Sequence, residues 1–244
     1  MTSASRWGRG ISEHLADRQG LGAELRSLVS KLSDRETSRA VIKPFVAITR
    51  QAGAGAWEIA RSLGDDLGWK VLDRQALDAI AEEFRLDPNM LNLLDETRLS
   101  WFGESILSLL HSRLISQDAY VERLVKLVLV ALSDCPAVVV GRGSTVFLPR
   151  DRGLKVRLVR EEAERVALIM ERLGLDETEA RRWVNRTDQQ RRAFVRRHFS
   201  QDPDDPLGYD LTINTGRVSL EGATKIIVQA LQARGLLAGV PTAP

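Results

Sequence analysis

The chain has 244 residues, of which 43% are hydrophobic and 28% are charged, and it contains 18 glycines and 8 prolines. These proportions are typical of a globular protein and exclude collagen-like, disordered and membrane-embedded chains. The formal net charge is only +2, which argues against a protein that binds nucleic acid through its overall charge.

The first 40 residues predict an amphipathic helical extension. Leu21, Leu25, Leu28 and Leu32 recur at spacings that place them on one face of a helix. Such a helix can pack on the flank of the following domain, or it can serve as a contact for a homodimer or another protein partner. The sequence leaves both alternatives open.

The next segment predicts a strand, a loop and a helix. The apolar run FVAIT, Phe45 to Thr49, predicts a strand, and the helical pattern that follows the loop ends at Gly68. The run WKVLD, Trp69 to Asp73, predicts a second strand. From residue 74 to about residue 132 the pattern is mostly helical.

The remaining elements alternate between strands and helices. Two further runs predict strands, AVVVGRG at 137–143, which glycines close, and LKVRLVR at 154–160. Helices are predicted over about 161–173, 177–199 and 220–233, with a strand DLTIN at 210–214 before the last one. Strands separated by helices indicate an α/β protein with a mainly parallel sheet.

A glycine-containing loop, RQAGAGAWEIA, joins the first strand to the first helix. Such a loop directs backbone N–H groups and the positive end of the helix dipole at one point, which suits a phosphate group. The loop departs from the Walker A pattern, because Arg50, Ala56 and Trp57 stand where that pattern has Gly, Lys and Ser/Thr. From these residues alone, a phosphate site and a plain tight turn both remain open.

Several separated motifs share one order and spacing: the glycine loop, VVVGRGSTVFLP, LKVRLVREEAERV, RTDQQRRAF and YDLTINTGRVSLEGATKII. In this order they resemble the cytidylate kinase-like family of P-loop kinases, over about residues 43–231. The resemblance implies a P-loop NTPase-type parallel sheet core flanked by helices in a domain at 41–232. Within it lie a helical acceptor-binding insertion at about 74–132 and an Arg-rich lid at about 176–208. Residues 1–40 then form an N-terminal extension, and 233–244 a C-terminal tail.

The resemblance assigns the binding of ATP phosphates to the glycine loop, with these residues: Gly53, Ala54, Gly55, Ala56 and Trp57. Mg²⁺ would be held mainly through the nucleotide phosphates, and no metal ligands from the protein are predicted. On the acceptor side, Asp73 and Arg74 match the end of the second strand, and Arg142 matches an acceptor contact. Gly143 stands where true cytidylate kinases have Asp.

The lid motif RTDQQRRAF assigns Arg186 and Arg191 to the transferring phosphoryl group, on either side of Asp188. Guanidinium groups suit this role because phosphoryl transfer is catalysed by positioning and by neutralising negative charge. Arg50 is the third catalytic candidate, since it could supply the charge that the loop lysine supplies elsewhere. The alternative is a solvated helix whose arginine stems cover apolar residues.

The sequence thus predicts an ATP-dependent nucleotide kinase that phosphorylates a nucleoside monophosphate, with a CMP-like acceptor taken from the resemblance. The alternative is a catalytically impaired, kinase-like protein that binds nucleotides or regulates a partner. The lone Cys135 cannot form an intramolecular disulfide, and neither a signal sequence nor a membrane-spanning stretch is visible. We therefore expect a cytoplasmic protein with nucleotide substrates.

Overall fold

Residues 42–73, 77 and 119–237 are described by the structure, which is a computed structural model. The predicted N-terminal extension, Arg74, most of the predicted insertion and the last seven residues lie outside this part of the chain.

Five parallel strands form the sheet of the described residues: β1 (Phe45–Arg50), β2 (Lys70–Leu72), β3 (Ala137–Val140), β4 (Gly153–Val159) and β5 (Leu211–Asn214). Their order across the sheet is β2-β3-β1-β4-β5, with Phe45 paired to Ala137 on one side and to Gly153 on the other. Every pairing is parallel, so each connection crosses over a face of the sheet. The predicted α/β class is therefore confirmed.

The described helices are α1 (Ala56–Leu67), α2 (Ala119–Asp134), α3 (Ser144–Phe147), α4 (Glu162–Leu173), α5 (Glu177–Phe199) and α6 (Leu220–Ala233). A single 3-10 turn, Pro206–Gly208, precedes β5. Helix α1 ends at Gly68, which adopts the left-handed conformation that glycine accepts without strain. Asp176 caps the N-terminus of helix α5, where its carboxylate and that of Glu179 form a capping box. None of the described helices is long and apolar enough to cross a membrane.

Helices cover both faces of the sheet and bury two apolar clusters. Helices α1 and α6 pack on one face, where Ile59, Leu63 and Ile227 are fully buried. Helix α2 packs on the opposite face together with α3 and the end of α5, where Phe199 contacts Phe147. The sheet is thus the middle layer of three, and its carboxyl edge is left for the connecting loops.

Strand β4 departs from the uniformly apolar composition of a buried parallel strand. Leu154, Val156 and Leu158 join the cluster beneath α1 and α6. The alternate residues, Lys155 and Arg157, therefore face the other side of the sheet, where the segment 201–209 and helix α5 lie. This polar side of β4 contributes to both cavities described below.

Candidate functional site

The glycine loop lies at the carboxyl edge of the sheet, between β1 and α1. Gly53 and Gly55 have positive φ values of 78° and 72°, and α1 has no side-chain cap at its N-terminus. A methyl group on Gly55 would collide with Leu220, so both the backbone conformation and the space require glycine there. The first backbone N–H groups of α1 have no acceptor within the helix, so they can donate hydrogen bonds to an anion.

A buried ion pair fixes this loop to the two helices that follow β4. The Asp188 carboxylate accepts hydrogen bonds from the Ala52 amide at 2.7 Å and from Arg165 Nη1 at 2.6 Å. Arg165 Nη1 also donates to the Ala52 carbonyl at 3.3 Å, and its Nε donates to the Arg160 carbonyl at 3.0 Å. Both charged side chains are only 7% exposed. We call Ala52, Arg165 and Asp188 the loop latch, because they join the loop to α4 and α5.

Next to the latch, a cavity of about 280 Å³ opens between helix α5 and the carboxyl ends of β1, β3 and β4. Two of the described residues that line it are aspartates, Asp188 and Asp204. Five are arginines: Arg50, Arg142, Arg157, Arg191 and Arg192. We call this space the arginine cavity.

Both aspartates of the arginine cavity already neutralise an arginine. Asp188 pairs with Arg165 in the latch, and Asp204 pairs with Arg157 at 2.5 Å and with Arg192 at 3.2 Å. Among the described residues that line this partly buried cavity, arginines outnumber aspartates five to two, which favours a positive local charge. An anion with several oxygens, such as a phosphate group, is the ligand that such a set of guanidinium groups favours.

A tight turn after β3 brings Arg142 to the arginine cavity. Three consecutive residues, Gly141, Arg142 and Gly143, have positive φ values of 83°, 54° and 76°. For a non-glycine residue this conformation costs about 1–2 kcal/mol, and such strain concentrates at functional positions. The Arg142 guanidinium lies between the rings of Tyr120 and Phe194, at 5.6 and 5.5 Å from their centroids. The turn and the two rings together fix the direction of Arg142.

Two of the three predicted catalytic arginines meet at the arginine cavity, and one does not. Arg191 Nη1 donates to the Arg50 carbonyl at 3.2 Å, and the Arg50 guanidinium lies against Gly141. Arg186 is exposed and does not line the cavity. It precedes Asp188 by two residues, which turns its side chain by about 200° around the helix, away from the latch.

The other predicted site residues that the structure describes lie at the same edge of the sheet but do not all reach the cavity. Arg142 lines it, whereas Asp73 follows β2 two strands away from β1, where its carbonyl accepts the Leu77 amide at 3.0 Å. Residues 53–57 do not line the cavity; they belong to the neighbouring loop. Arg74 lies outside the described residues.

Sequence reasoning missed Arg157, Arg192 and Asp204 as members of the cavity. A signal for Arg157 exists in the sequence, because Lys155 and Arg157 stand on one side of a strand that is otherwise apolar. Thr215 directly follows β5. Its hydroxyl donates to the Ala54 carbonyl at 3.1 Å and thereby joins the end of β5 to the glycine loop.

Among the described residues, no group of three or more His, Cys, Asp or Glu side chains is placed so that it could hold a metal ion.

Comparisons with known proteins give one family and a set of solved structures. The model of the cytidylate kinase-like family matches residues 45–217. An uncharacterized protein from Eubacterium ventriosum is 19% identical with a TM-score of 0.62, and the match covers 78% of this chain and 99% of that one. Shikimate kinase from Bacteroides thetaiotaomicron is 15% identical with a TM-score of 0.41, over 79% and 98% of the two chains. The first similarity shows a shared fold. A search of the curated proteins gives no match.

Proposed function

The chain belongs to the cytidylate kinase-like family, and from that premise we propose that it is an ATP-dependent nucleotide kinase. It transfers the γ-phosphoryl group to a nucleoside monophosphate, for which CMP is the acceptor that the family name suggests. The observation that carries the proposal is the arginine cavity, which adjoins a glycine loop of phosphate-binding geometry and is joined to it by the latch.

The loop is the proposed site for the donor phosphates. Gly53 and Gly55 let the backbone approach an anion closely, and the N-terminus of α1 adds its positive dipole end. These features fit a triphosphate chain. The Mg²⁺ that accompanies ATP would lower the negative charge of the phosphates, and the protein would hold it through the nucleotide.

The arginine cavity is the proposed site for the acceptor phosphate and the transferring group. Arg142 is aimed into it by the strained turn, and Arg191 and Arg50 approach each other at its wall. Guanidinium groups held in place stabilise charge that spreads over the phosphoryl oxygens in the transition state. A general base is not required, because a phosphate acceptor is already anionic.

Asp73, Arg74 and Arg186 enter the proposal through the family resemblance. Asp73 and Arg74 would approach the acceptor from the neighbouring strand end. Arg186 is exposed on α5, so it would reach the phosphoryl group only after that part of the helix turns. An Arg186→Ala variant therefore tests the resemblance separately from the cavity.

A second candidate is a kinase-like protein that binds nucleotides without turnover, and the residues after the glycines favour it. Ala56 stands at the place of the Walker lysine and is buried in the apolar cluster beneath α1. Trp57 replaces the hydroxyl residue that binds Mg²⁺ in P-loop enzymes. The kinase proposal therefore needs Arg50 or Arg191 to supply the missing charge.

The test is the release of ADP from Mg²⁺-ATP in the presence of ribonucleoside and deoxyribonucleoside monophosphates, one at a time. We expect turnover with at least one acceptor, and we expect Arg142→Ala and Arg191→Ala each to lower kcat/KM by about 100-fold or more. Arg182→Ala is the matched control, because Arg182 is exposed on the same helix and does not line the cavity.

If Arg142→Ala and Arg191→Ala both turn over as fast as the Arg182→Ala control, the assignment of the site is contradicted. Saturable ATP binding without turnover on any acceptor would favour the second candidate. In that case ATP should still raise the Tm of the protein, since a ligand that binds only the folded state stabilises it.

A further inference from the structure

A buried lysine on β4 has no role in the proposed reaction. Lys155 is 4% exposed, and its backbone amide donates to the Asp210 carboxylate at 2.7 Å. Among the residues that the structure describes, its ammonium group makes no hydrogen bond or ion pair within the usual distances. A largely desolvated ammonium group without an ion-pair partner destabilises the folded state, so a ligand that brings a negative charge to it would be stabilising.

The Lys155 side chain lines a second cavity of about 230 Å³, which lies between β4, α3 and the segment 201–209. We call it the lysine cavity. It differs from the arginine cavity in all its lining residues except Pro203. Phe147, Phe199 and Tyr209 give it aromatic walls, and its volume is below the roughly 300–1,000 Å³ of typical small-molecule pockets. It has room for a ligand smaller than a nucleotide.

The charges around the lysine cavity favour an anion. Arg150 also lines it and adds a second positive charge near the lysine. Burial first, and then Arg150, lower the pKa of Lys155 to about 8, while Asp210 raises it in part. The Asp210 carboxylate also forms an ion pair with Arg234 Nη1 at 3.4 Å.

Two carboxylates line the cavity, and each is engaged elsewhere. Asp202 Oδ1 accepts from Arg196 at 2.9 Å, and Asp205 Oδ1 accepts from the Leu207 amide at 2.9 Å. The described structure pairs neither with Lys155.

We propose that the lysine cavity is a binding site for a small organic oxyanion. Its carboxylate or phosphate group contacts Lys155 and Arg150, and its apolar part lies against Phe147 and Tyr209. The cation and the aromatic walls are both needed, because a buried charge pair gains little unless water is excluded around it. The proposal does not depend on the kinase reaction, since the residues that hold the ligand are not those of the arginine cavity.

The test uses two probes that share a phenyl ring and differ in the anionic group, benzoate and phenyl phosphate, on the full chain at constant ionic strength. Isothermal titration calorimetry measures binding, and the shift in Tm is recorded beside it. Lys155→Met keeps an unbranched side chain, shorter by one atom, and removes the charge. Lys225→Met is the matched control, because Lys225 is an exposed lysine on α6 and makes a surface pair with Glu221.

We expect at least one probe to bind and to raise Tm, and we expect Lys155→Met to weaken binding by about tenfold or more. Lys225→Met should bind like the unmodified chain. The two probes distinguish a carboxylate ligand from a phosphate ligand.

Equal binding by Lys155→Met and the unmodified chain would overturn the proposal, and so would the absence of binding by both probes. The folding of Lys155→Met is checked by its own Tm. That Tm should not fall, since the substitution removes an unpaired buried charge.

Discussion

Substitution of Arg165 by Met tests whether the loop latch stabilises the fold. Met preserves the aliphatic stem, which lies against Gly53, and removes the guanidinium group. Asp188 then remains buried with the Ala52 amide as its remaining partner in the latch. Breaking a buried pair in this way costs about 3–5 kcal/mol of the free energy of unfolding, because an uncompensated charge stays behind.

A double-mutant cycle with Asp188→Asn isolates the electrostatic part. Asn can still accept the Ala52 amide hydrogen bond, whose length is 2.7 Å, but it carries no charge. Asp188→Asn alone should cost about 1–3 kcal/mol, because Arg165 keeps the carbonyls of Ala52 and Arg160 as acceptors. The double variant leaves no buried charge, so its loss should be smaller than the sum of the single losses by about 2 kcal/mol.

Urea unfolding followed by circular dichroism measures these losses. Arg172→Met on the same helix is the control, since Arg172 pairs with Glu58 nearer the surface, and such pairs contribute about 0–1 kcal/mol. If Arg165→Met costs no more than this control and the two latch substitutions are additive within about 0.5 kcal/mol, the reasoning is refuted.

Three further predictions concern Lys155 and the residues around the loop. The pKa of Lys155 is about 8 in the folded chain and 10.5 ordinarily, so the unfolded chain binds more protons between these values and stability rises with pH across that window. The free energy of unfolding of Lys155→Met should therefore exceed that of the unmodified chain by up to about 3 kcal/mol at pH 7, and this difference should shrink towards pH 10.5. Urea unfolding at several pH values measures the difference. Gly141→Ala places a methyl group against the Arg50 guanidinium at a φ of 83°. We expect it to lower the free energy of unfolding by about 1–2 kcal/mol and to lower kcat in the ADP assay. An unchanged kcat would contradict the role of Arg50. Thr215→Val removes the hydrogen bond to the Ala54 carbonyl and should lower the free energy of unfolding by about 1–2 kcal/mol, whereas an unchanged midpoint in urea would show that the bond contributes nothing.

The strands could be predicted closely because each is a short run of apolar residues between polar or glycine-containing turns. Four of the five observed strands lie within one residue of the predicted bounds at each end. The fifth prediction, at 137–143, was too long because the strand ends at Val140, where three consecutive left-handed residues begin. Helix α3, directly after this turn, was not predicted; it has only four residues and so shows no helical periodicity.

The candidate site was predictable only where a motif could be followed residue by residue. The lid motif pointed to both Arg186 and Arg191, but five residues along a helix separate two side chains by about 140°, so they do not share a face. The latch carried no sequence signal at all. Ala52 and Asp188 are 136 positions apart, and neither residue type indicates that an amide of one will meet a carboxylate of the other.

The latch holds helix α5 near its middle, so a tilt of the helix would move its two arms, the parts before and after Asp188, in opposite directions. Asp188 lies near the middle of this 23-residue helix, and its hydrogen bond with the Ala52 amide holds the helix to the loop at that point. The arm after it carries Arg191 towards the arginine cavity. The arm before it carries Arg181, which pairs with Glu162 on α4 at 3.0 Å. A tilt of α5 about the latch would therefore break the Arg181–Glu162 pair, which contributes about 0–1 kcal/mol, and would also separate the buried Ala180 and Val184 from the apolar side chains of α4.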